Sequence, residues 1–421
     1  MRVFELIPVH NKRQMALGCL EALERQTYEP LETVVVDDGS TDGTAAAVRE
    51  RFPEVTVLHG DGSLWWTGAM RLGVDHILRR ARPGDFVLSL NDDTTFDERY
   101  VATLVETSAA NGRAIVGSFC LRHGAGVHII EQGGRFDWRR GRHVVTSEIL
   151  EKELDGLYPF RLTNDEIPLE DCLDSLGTLR DLDFLFGRGT LFPVEVFWKI
   201  GGYNARAFPH YGADVEFSSR ARKAGFDLIL SLRARITNFE QEDSTGLHHA
   251  PGRLLSFRRA FDVLASRRSA YQLHKGFRFL DLCCPGRFRL WNKVRYLARA
   301  LRASFGRTFP VLPFVLAGEK AFAALRYLKY LCRPVPIPVE ALTTAGLDVP
   351  RLVKDKILRR IAFRGRLYFK VTASAEALRG LPGGDRLIEL RRASFRLWRK
   401  LRWIAWRPDG RAPREGAGRR A

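Results

Sequence analysis

Short apolar, β-branched runs alternate with amphipathic stretches through the first hundred residues, and few folds accept that order. Arg2 to Val9 predicts a strand. Met15, Leu17, Cys19, Leu20 and Leu23 then fall at helical spacing, up to the turn Thr27-Tyr28-Glu29-Pro30. Leu31 to Val36 predicts a buried strand, Ala45 to Arg51 a helix and Val55 to His59 a third strand, with Pro53 between the last two. Strand, helix, strand, helix, strand implies a parallel sheet with right-handed crossovers, so the loops at the carboxyl ends of the strands face one crevice.

Carboxylates end two of those loops. Leu31 to Val36 runs into Asp37-Asp38-Gly39-Ser40-Thr41-Asp42-Gly43-Thr44, and the apolar stretch Phe86-Val87-Leu88-Ser89-Leu90 runs into Asn91-Asp92-Asp93. No Lys or Arg lies within five residues of Asp92 and Asp93, so the pair is expected to be neutralised from outside. A hard divalent cation that also holds a diphosphate suits such a place. The alternative is a helix N-cap, with Asp93 and Thr94 ahead of a helical pattern over Asp97 to Val105. The loop between the third and fourth strands, Gly60 to Gly68, offers Trp65 and Trp66 either as stacking surfaces for a ligand or as anchors to the core, ahead of a helix from about Ala69 to Arg80. Neither GxxxxGK[ST] nor a GxGxxG after the first strand is present, which counts against P-loop and ordinary dinucleotide-binding proteins.

These motifs resemble the family 2 glycosyltransferases of the GT-A fold. The likeness rests on Ile7-Pro8-Val9-His10-Asn11, on Val34-Val35-Val36-Asp37-Asp38-Gly39-Ser40-Thr41-Asp42-Gly43-Thr44, and on Leu90-Asn91-Asp92-Asp93. Gly62 to Met70 is similar to the rhamnosyltransferase-like subgroup. The resemblance covers roughly residues 1–250. It implies a GT-A-like, mixed, mainly parallel sheet flanked by helices, and transfer of a sugar from a nucleotide-diphosphate donor, with dTDP-rhamnose suggested by the narrower likeness. Pro8, His10, Asn11, Asp37 and Asp38 would serve the nucleotide. Asp92 would approach ribose or metal, and Asp93 would bind Mg²⁺ or Mn²⁺.

Farther on, Pro209-His210-Tyr211-Gly212-Ala213-Asp214-Val215-Glu216 opens a helix and is similar to the acceptor-side motif of that family. Ala213 stands where an acid is usual, while Asp214 matches the catalytic base. A helix N-terminus favours the charged carboxylate, so Asp214 is expected to be ionised and able to take a proton; its other role would be an N-cap. Arg188, in the glycine-broken strand Phe184 to Pro193, would hold diphosphate or acceptor. His248, beside His249, would complete a metal site or lie on the surface. Residues 151–183 read as an acidic, irregular insertion.

Charge divides the chain. Residues 1–250 hold 28 Lys and Arg against 38 Asp and Glu, whereas residues 251–421 hold 39 against 11, which accounts for more than the whole net charge of +18. Such asymmetry joins an acidic module to a segment that meets a polyanion. Trp291, Val294, Leu297, Leu301 and Phe305 recur at helical spacing among cations, as do Leu390, Leu397, Leu401 and Ile404. Basic amphipathic helices edged with tryptophan suit an anionic membrane surface or, alternatively, pack into a helical domain. The expected division is 1–250 GT-A-like, 251–333 basic helical, 334–350 linker, 351–406 basic amphipathic helical, and 407–421 disordered tail. Six cysteines without CxxC spacing and no leader pattern suggest reduced thiols in a cytoplasmic protein, which the basic half would dock on the inner face of the membrane.

The expectation is an inverting, metal-dependent glycosyltransferase acting on a saccharide or lipid-linked acceptor in cell-surface polysaccharide synthesis. Two rivals remain. One is a nucleic-acid-binding protein with a nucleotide-binding-like domain, against which no specific nucleic-acid motif is found. The other is a noncatalytic scaffold, which Ala213 keeps open.

Overall fold

The computed structural model describes residues 1–123, 129–157, 169–239, 256–266, 269 and 271–305, and beyond them only 336–338, 342, 347, 352, 358–363, 366–371, 386 and 387. The chain begins β1 (Val3–Val9), α1 (Arg13–Glu24), β2 (Leu31–Asp37), α2 (Thr44–Arg51), β3 (Thr56–His59), α3 (Trp65–Leu78), β4 (Phe86–Ser89), β5 (Thr94–Phe96), α4 (Tyr100–Ala109) and β6 (Ile115–Arg122). Next come β7 (Ile129–Ile130), β8 (Gly133–Asp137), β9 (Arg142–Val145), α5 (Thr146–Leu157), α6 (Leu169–Leu176), β10 (Thr178–Leu179), β11 (Phe184–Leu185), β12 (Thr190–Pro193), α7 (Val194–Ile200), α8 (Ala213–Lys223) and β13 (Leu228–Asn238). Three helices follow: α9 (Phe257–Ala265), α10 (Leu273–Cys283) and α11 (Gly286–Phe305).

The large sheet has the order β10-β13-β6-β12-β4-β1-β2-β3, with β5 on β13 and β7 on β6. Its long ladders are parallel, β1 with β2, β1 with β4, β2 with β3 and β13 with β6, while β12 runs antiparallel between β4 and β6. This is the mixed, mainly parallel α/β sheet expected from the alternation. Strands in the middle of such a sheet are covered on both faces. Accordingly Val3, Phe4, Leu6 and Ile7 of β1 and Phe86, Val87 and Leu88 of β4 are wholly buried. Val3, Ile7, Phe86 and Leu88 share one core with Ala16, Leu17, Cys19, Leu20 and Leu23 of α1 and Tyr100, Val101 and Leu104 of α4. One carboxyl interrupts it: Glu5, in β1, is fully buried and accepts a hydrogen bond from Thr33 Oγ1 at 2.7 Å.

Because β1 and β4 are adjacent and parallel, the loops that follow them emerge side by side. Residues 10–12 and 91–93 are therefore neighbours despite some eighty positions between them.

The structure departs from the expected elements at several places. α3 begins at Trp65, so both tryptophans lie in its first turn and not in the preceding loop. β5 separates Asp93 from α4 and pairs with the end of β13, a strand the sequence reading did not single out. Asp93 and Thr94 thus cap no helix. Helices α5 and α6 reach into residues 151–183, which were expected to be irregular.

The chain divides into two compact units, one of residues 1–151 and 173–309 and one of residues 152–172 and 310–421. The first therefore includes α9 to α11, beyond the boundary expected at residue 250. Contacts with α8 bind these helices in: Lys223 Nζ donates to the carbonyls of Leu282 and Cys283 at 2.6 and 3.1 Å. In the second unit β14 (Pro336–Pro338), β15 (Leu358–Phe363) and β16 (Arg366–Val371) form an antiparallel sheet. Strands thus stand within 351–406, where helix was expected; Ile361, Phe363, Tyr368, Phe369 and Val371 are residue types that favour an extended chain. The expected helical pattern from Leu390 to Ile404 lies outside the described residues, as does the tail 407–421. No helix among the described residues is long and apolar enough to cross a membrane.

Candidate active site

Lys12, just past the end of β1, places its ammonium 3.2 Å from Asp92 Oδ1 and 3.2 Å from Asp93 Oδ2. Both carboxylates are nearly buried. Asn238, at the end of β13, donates through Nδ2 to Asp93 Oδ1 at 2.8 Å. Burial pushes Asp92 up to about 6, helped by the charge of Asp93 and opposed by Lys12. Burial also works against the Lys12 charge, but the two carboxylates outweigh it and hold its pKa above the ordinary value. The chain therefore supplies the counter-ion itself, from a residue some eighty positions away in sequence. Neither Lys12 nor Asn238 was singled out from the sequence.

One or two carboxylates completed by phosphate oxygens are what Mg²⁺ commonly takes from a protein. Asp92 and Asp93 fit that donor set, provided the Lys12 ammonium leaves, since a dication and an ammonium repel at such range. Its side chain is 34% exposed and long enough to swing away. Among the described residues no cluster of three or more His, Cys, Asp or Glu could hold a metal by itself. His248, the third ligand considered from the sequence, lies outside the described residues.

The loops after β1, β2 and β3 are tied to one another. His10 Nδ1 is 2.7 Å from the carbonyl of Asp38, and Asn11, at φ 51°, accepts the N–H of Thr41 on Oδ1 at 2.8 Å. Asp37 accepts the N–H of Ser40 at 2.9 Å. Asp38, expected to serve the nucleotide, accepts three backbone N–H groups on its carboxylate: Gly62 at 2.9 Å and Leu64 at 3.2 Å on Oδ1, and Trp65 at 2.7 Å on Oδ2. It satisfies free donors at the start of α3 from another loop, which is why the helix begins at Trp65. Pro8 lies half-buried within β1.

Trp66 connects the loop after β4 with the loop between β11 and β12. Its Nε1 donates to Asn91 Oδ1 at 3.2 Å, next to Asp92, and its ring meets Tyr203 edge-on at 5.5 Å. On the far side it presses on Gly187: a Cβ there would lie 2.6 Å from the indole and 3.4 Å from Asp214 Cβ. The Gly187 carbonyl accepts Ser89 Oγ at 2.6 Å, so the end of β4 holds this loop, and its N–H donates to Asp214 Oδ2 at 3.1 Å.

Asp214 is the second residue of α8, after Gly212 at φ 83°, and its Oδ1 accepts the N–H of Val215 at 2.8 Å. The helix N-terminus was expected to favour the ionised form. Burial prevails instead and raises the pKa, against the lowering by the Gly187 and Val215 N–H groups and the charge of Arg188. Arg188 leaves a buried Nε without a hydrogen-bond partner beside that carboxylate. The structure thus links Asn91, the neighbour of Asp92 and Asp93, to Asp214 through Trp66 and Gly187, with Asp38 bracing the helix that carries Trp66.

Residues 6–167 match the model of the family described as glycosyl transferase family 2. The match covers 162 of the 421 residues, and over that part the chain is similar to the family. A glycosyltransferase, GlyG, of Streptococcus pneumoniae is 26% identical over 104 residues, which is 24% of this chain and 33% of that protein. The chain thus spans about a third of that relative. An N-acetylglucosaminyl-diphospho-decaprenol L-rhamnosyltransferase of Mycobacterium tuberculosis is 23% identical over 259 residues, 60% of this chain and 80% of that protein. Among solved structures, GalNAc-T7 with UDP, GalNAc and Mn²⁺ aligns at TM-score 0.43 and 14% identity, over 73% of this chain and 58% of the other. The mannosyltransferase PcManGT of Pyrobaculum calidifontis with GDP-Man and Mn²⁺ aligns at 0.41 and 18%, over 78% and 82%. Scores at this level are too low to bear on the site.

Proposed function

We propose that the protein transfers a sugar from a nucleotide-diphosphate donor to a hydroxyl with inversion at the anomeric carbon. The observation that carries this is the linkage of Asp92 and Asp93, through Asn91, Trp66 and Gly187, to a half-buried carboxylate of raised pKa, Asp214. One end suits a metal-bound diphosphate and the other an incoming alcohol. Asp214 takes the hydroxyl proton as the oxygen attacks, the bond from the anomeric carbon to the diphosphate breaks, and its electron pair leaves with the diphosphate. Asp93, with Asp92, would hold Mg²⁺ or Mn²⁺, which supplies a Lewis acid for the leaving charge. Lys12, displaced from the two acids, would turn to the diphosphate, and Arg188 would assist there or at the acceptor.

The finer assignment is dTDP-rhamnose as donor and a saccharide on a lipid carrier as acceptor, supported by the Gly62 to Met70 resemblance and by what the mycobacterial relative is named for. α11 supports a membrane-surface location. It carries six cations and no acid, and leaves Leu290 77%, Trp291 55%, Val294 49% and Leu301 40% exposed. An apolar stripe with tryptophan among cations suits an anionic interface. Thermal-shift titration with UDP-, GDP- and dTDP-sugars, with and without Mn²⁺, tests the donor. A metal-dependent rise in melting temperature with one of them, followed by turnover, is expected; no rise with any nucleotide sugar would remove the proposal.

A further inference from the structure

A cavity of about 320 Å³ lies against the first turn of α8, where Gly212 and Val215 line it while Asp214 between them binds Gly187. Aromatic side chains, among them Trp138, Phe208, Tyr211 and Tyr296, wall it. Four of its lining residues are basic, Arg142, His143, Lys275 and Arg299, and none is acidic.

Lys275 is the informative member. It is 4% exposed, in the first turn of α10. Its ammonium donates to the carbonyl of Ser269 at 2.5 Å and lies 5.2 Å from the centre of the Tyr211 ring. It makes no ion pair among the described residues, and burial pushes its pKa down to about 8. A cation held out of water without a counter-ion is costly, and an anion delivered to it removes that cost. At the mouth, Arg142 is paired with Glu148, whereas Arg299 makes no ion pair with a described residue. A volume of this size falls near the lower end of small-ligand sites, of order 300 Å³, and suits a single sugar ring with its phosphate better than a whole nucleotide sugar.

We propose that this cavity binds a sugar phosphate, with the phosphate on Lys275 toward Arg299 and the ring between the aromatic walls. In identifying that ligand with the anionic part of the acceptor, the assignment rests on the function proposed above; the cavity's own chemistry does not. The phosphate is bound by charge-assisted hydrogen bonds and the ring by apolar contact, so both portions contribute.

Calorimetric titration of the full chain separates the two ideas. The probes are 1-phosphates of a hexose, a 6-deoxyhexose and an N-acetylhexosamine, then inorganic phosphate, then UDP, GDP and dTDP with Mn²⁺. At least one sugar phosphate should bind more tightly than inorganic phosphate. Lys275→Met should weaken it by about tenfold or more, with nucleotide binding unchanged. Arg299→Met, at an exposed position, should weaken it severalfold and carries the test even where Lys275→Met fails to fold. Binding of no sugar phosphate, equal binding of inorganic phosphate, or indifference to both substitutions would overturn the proposal. Sugar-phosphate binding that depends on Lys275, with no nucleotide bound under any condition, would keep the cavity and remove the glycosyltransferase function instead.

Discussion

The ammonium of Lys12 and the carboxylate of Asp93 stand 3.2 Å apart across 81 positions of sequence. The pairing occupies the ground a divalent cation would need, so metal affinity before the nucleotide arrives is set against an internal competitor. Lys12→Met should tighten Mn²⁺ binding to the nucleotide-free protein by about tenfold, one charge-assisted contact having been removed from competition. It should also weaken the further gain that a nucleoside diphosphate brings. Electron paramagnetic resonance of free Mn²⁺ measures both; unchanged affinity in the variant would show that Lys12 does not compete.

Asp214 is half-buried, its pKa raised by the loss of solvent, and as a base it must be deprotonated to work. Transfer should therefore fall as pH drops through its pKa, by about tenfold per unit, with the acid limb above the ordinary carboxylate range. Asp214→Asn should lose on the order of 100-fold to 10,000-fold in rate while keeping the native melting temperature to within a few degrees. A rate profile still flat at pH 4 would exclude this base.

Glu5 makes stability depend on pH. Burial raises its carboxyl to about 8 in the fold, against 4.5 when exposed, with the Thr33 hydroxyl bond pulling the other way. Between those values the unfolded chain gives up the proton and the folded one keeps it, so stability falls as pH rises from about 4.5 and levels off above about 8. The slope is at most about 1.4 kcal/mol per pH unit. Glu5→Gln should flatten it, as denaturant melts at pH 5, 6.5 and 8 would reveal.

Replacing Leu290 and Trp291 on α11 with serine should lower sedimentation with anionic vesicles by about tenfold, and salt should lower it further. Partition that ignores both changes would leave the basic helix without a membrane role.

Much of the first unit was legible because parallel α/β architecture writes itself locally. The β1-to-α2 sequence shows its strands as apolar runs and its helices by spacing, and Asp92-Asp93 follows a strand directly. Asp214 was legible for a similar reason, at the start of a clear helix. Contacts between loops were not. Lys12 escaped because its partners are brought by the β1–β4 pairing and not by proximity in the chain. A cation immediately after one strand and an acid pair after another were the signal, readable once strand order was known. Asn238 escaped with β13, whose mixture of Leu, Ile and Arg marks no clear face. Asp38 was recognised as part of a motif, but its bonds to three backbone N–H groups depend on loop conformation, which side-chain types do not encode.

Gly187→Ala is the most economical probe of the cleft. A methyl group there would meet the Trp66 ring at 2.6 Å, so the indole or the loop must shift. A core intrusion of this kind costs about 1–3 kcal/mol in stability, and a displacement near 1 Å at reacting groups lowers turnover by about 100-fold. Turnover close to that of the parent chain would mean that Trp66 does not set the spacing.

At that point three side chains close on one stretch of main chain. Gly187 is gripped by Ser89 on its carbonyl and by Asp214 on its amide, with an indole filling the remaining face. The span between the acids that follow β4 and the carboxylate of α8 therefore leaves no room at Gly187 for a side chain without moving the indole or the loop. Under the proposed function, a change of donor or acceptor range would have to come from the surrounding side chains while Gly187 stays glycine.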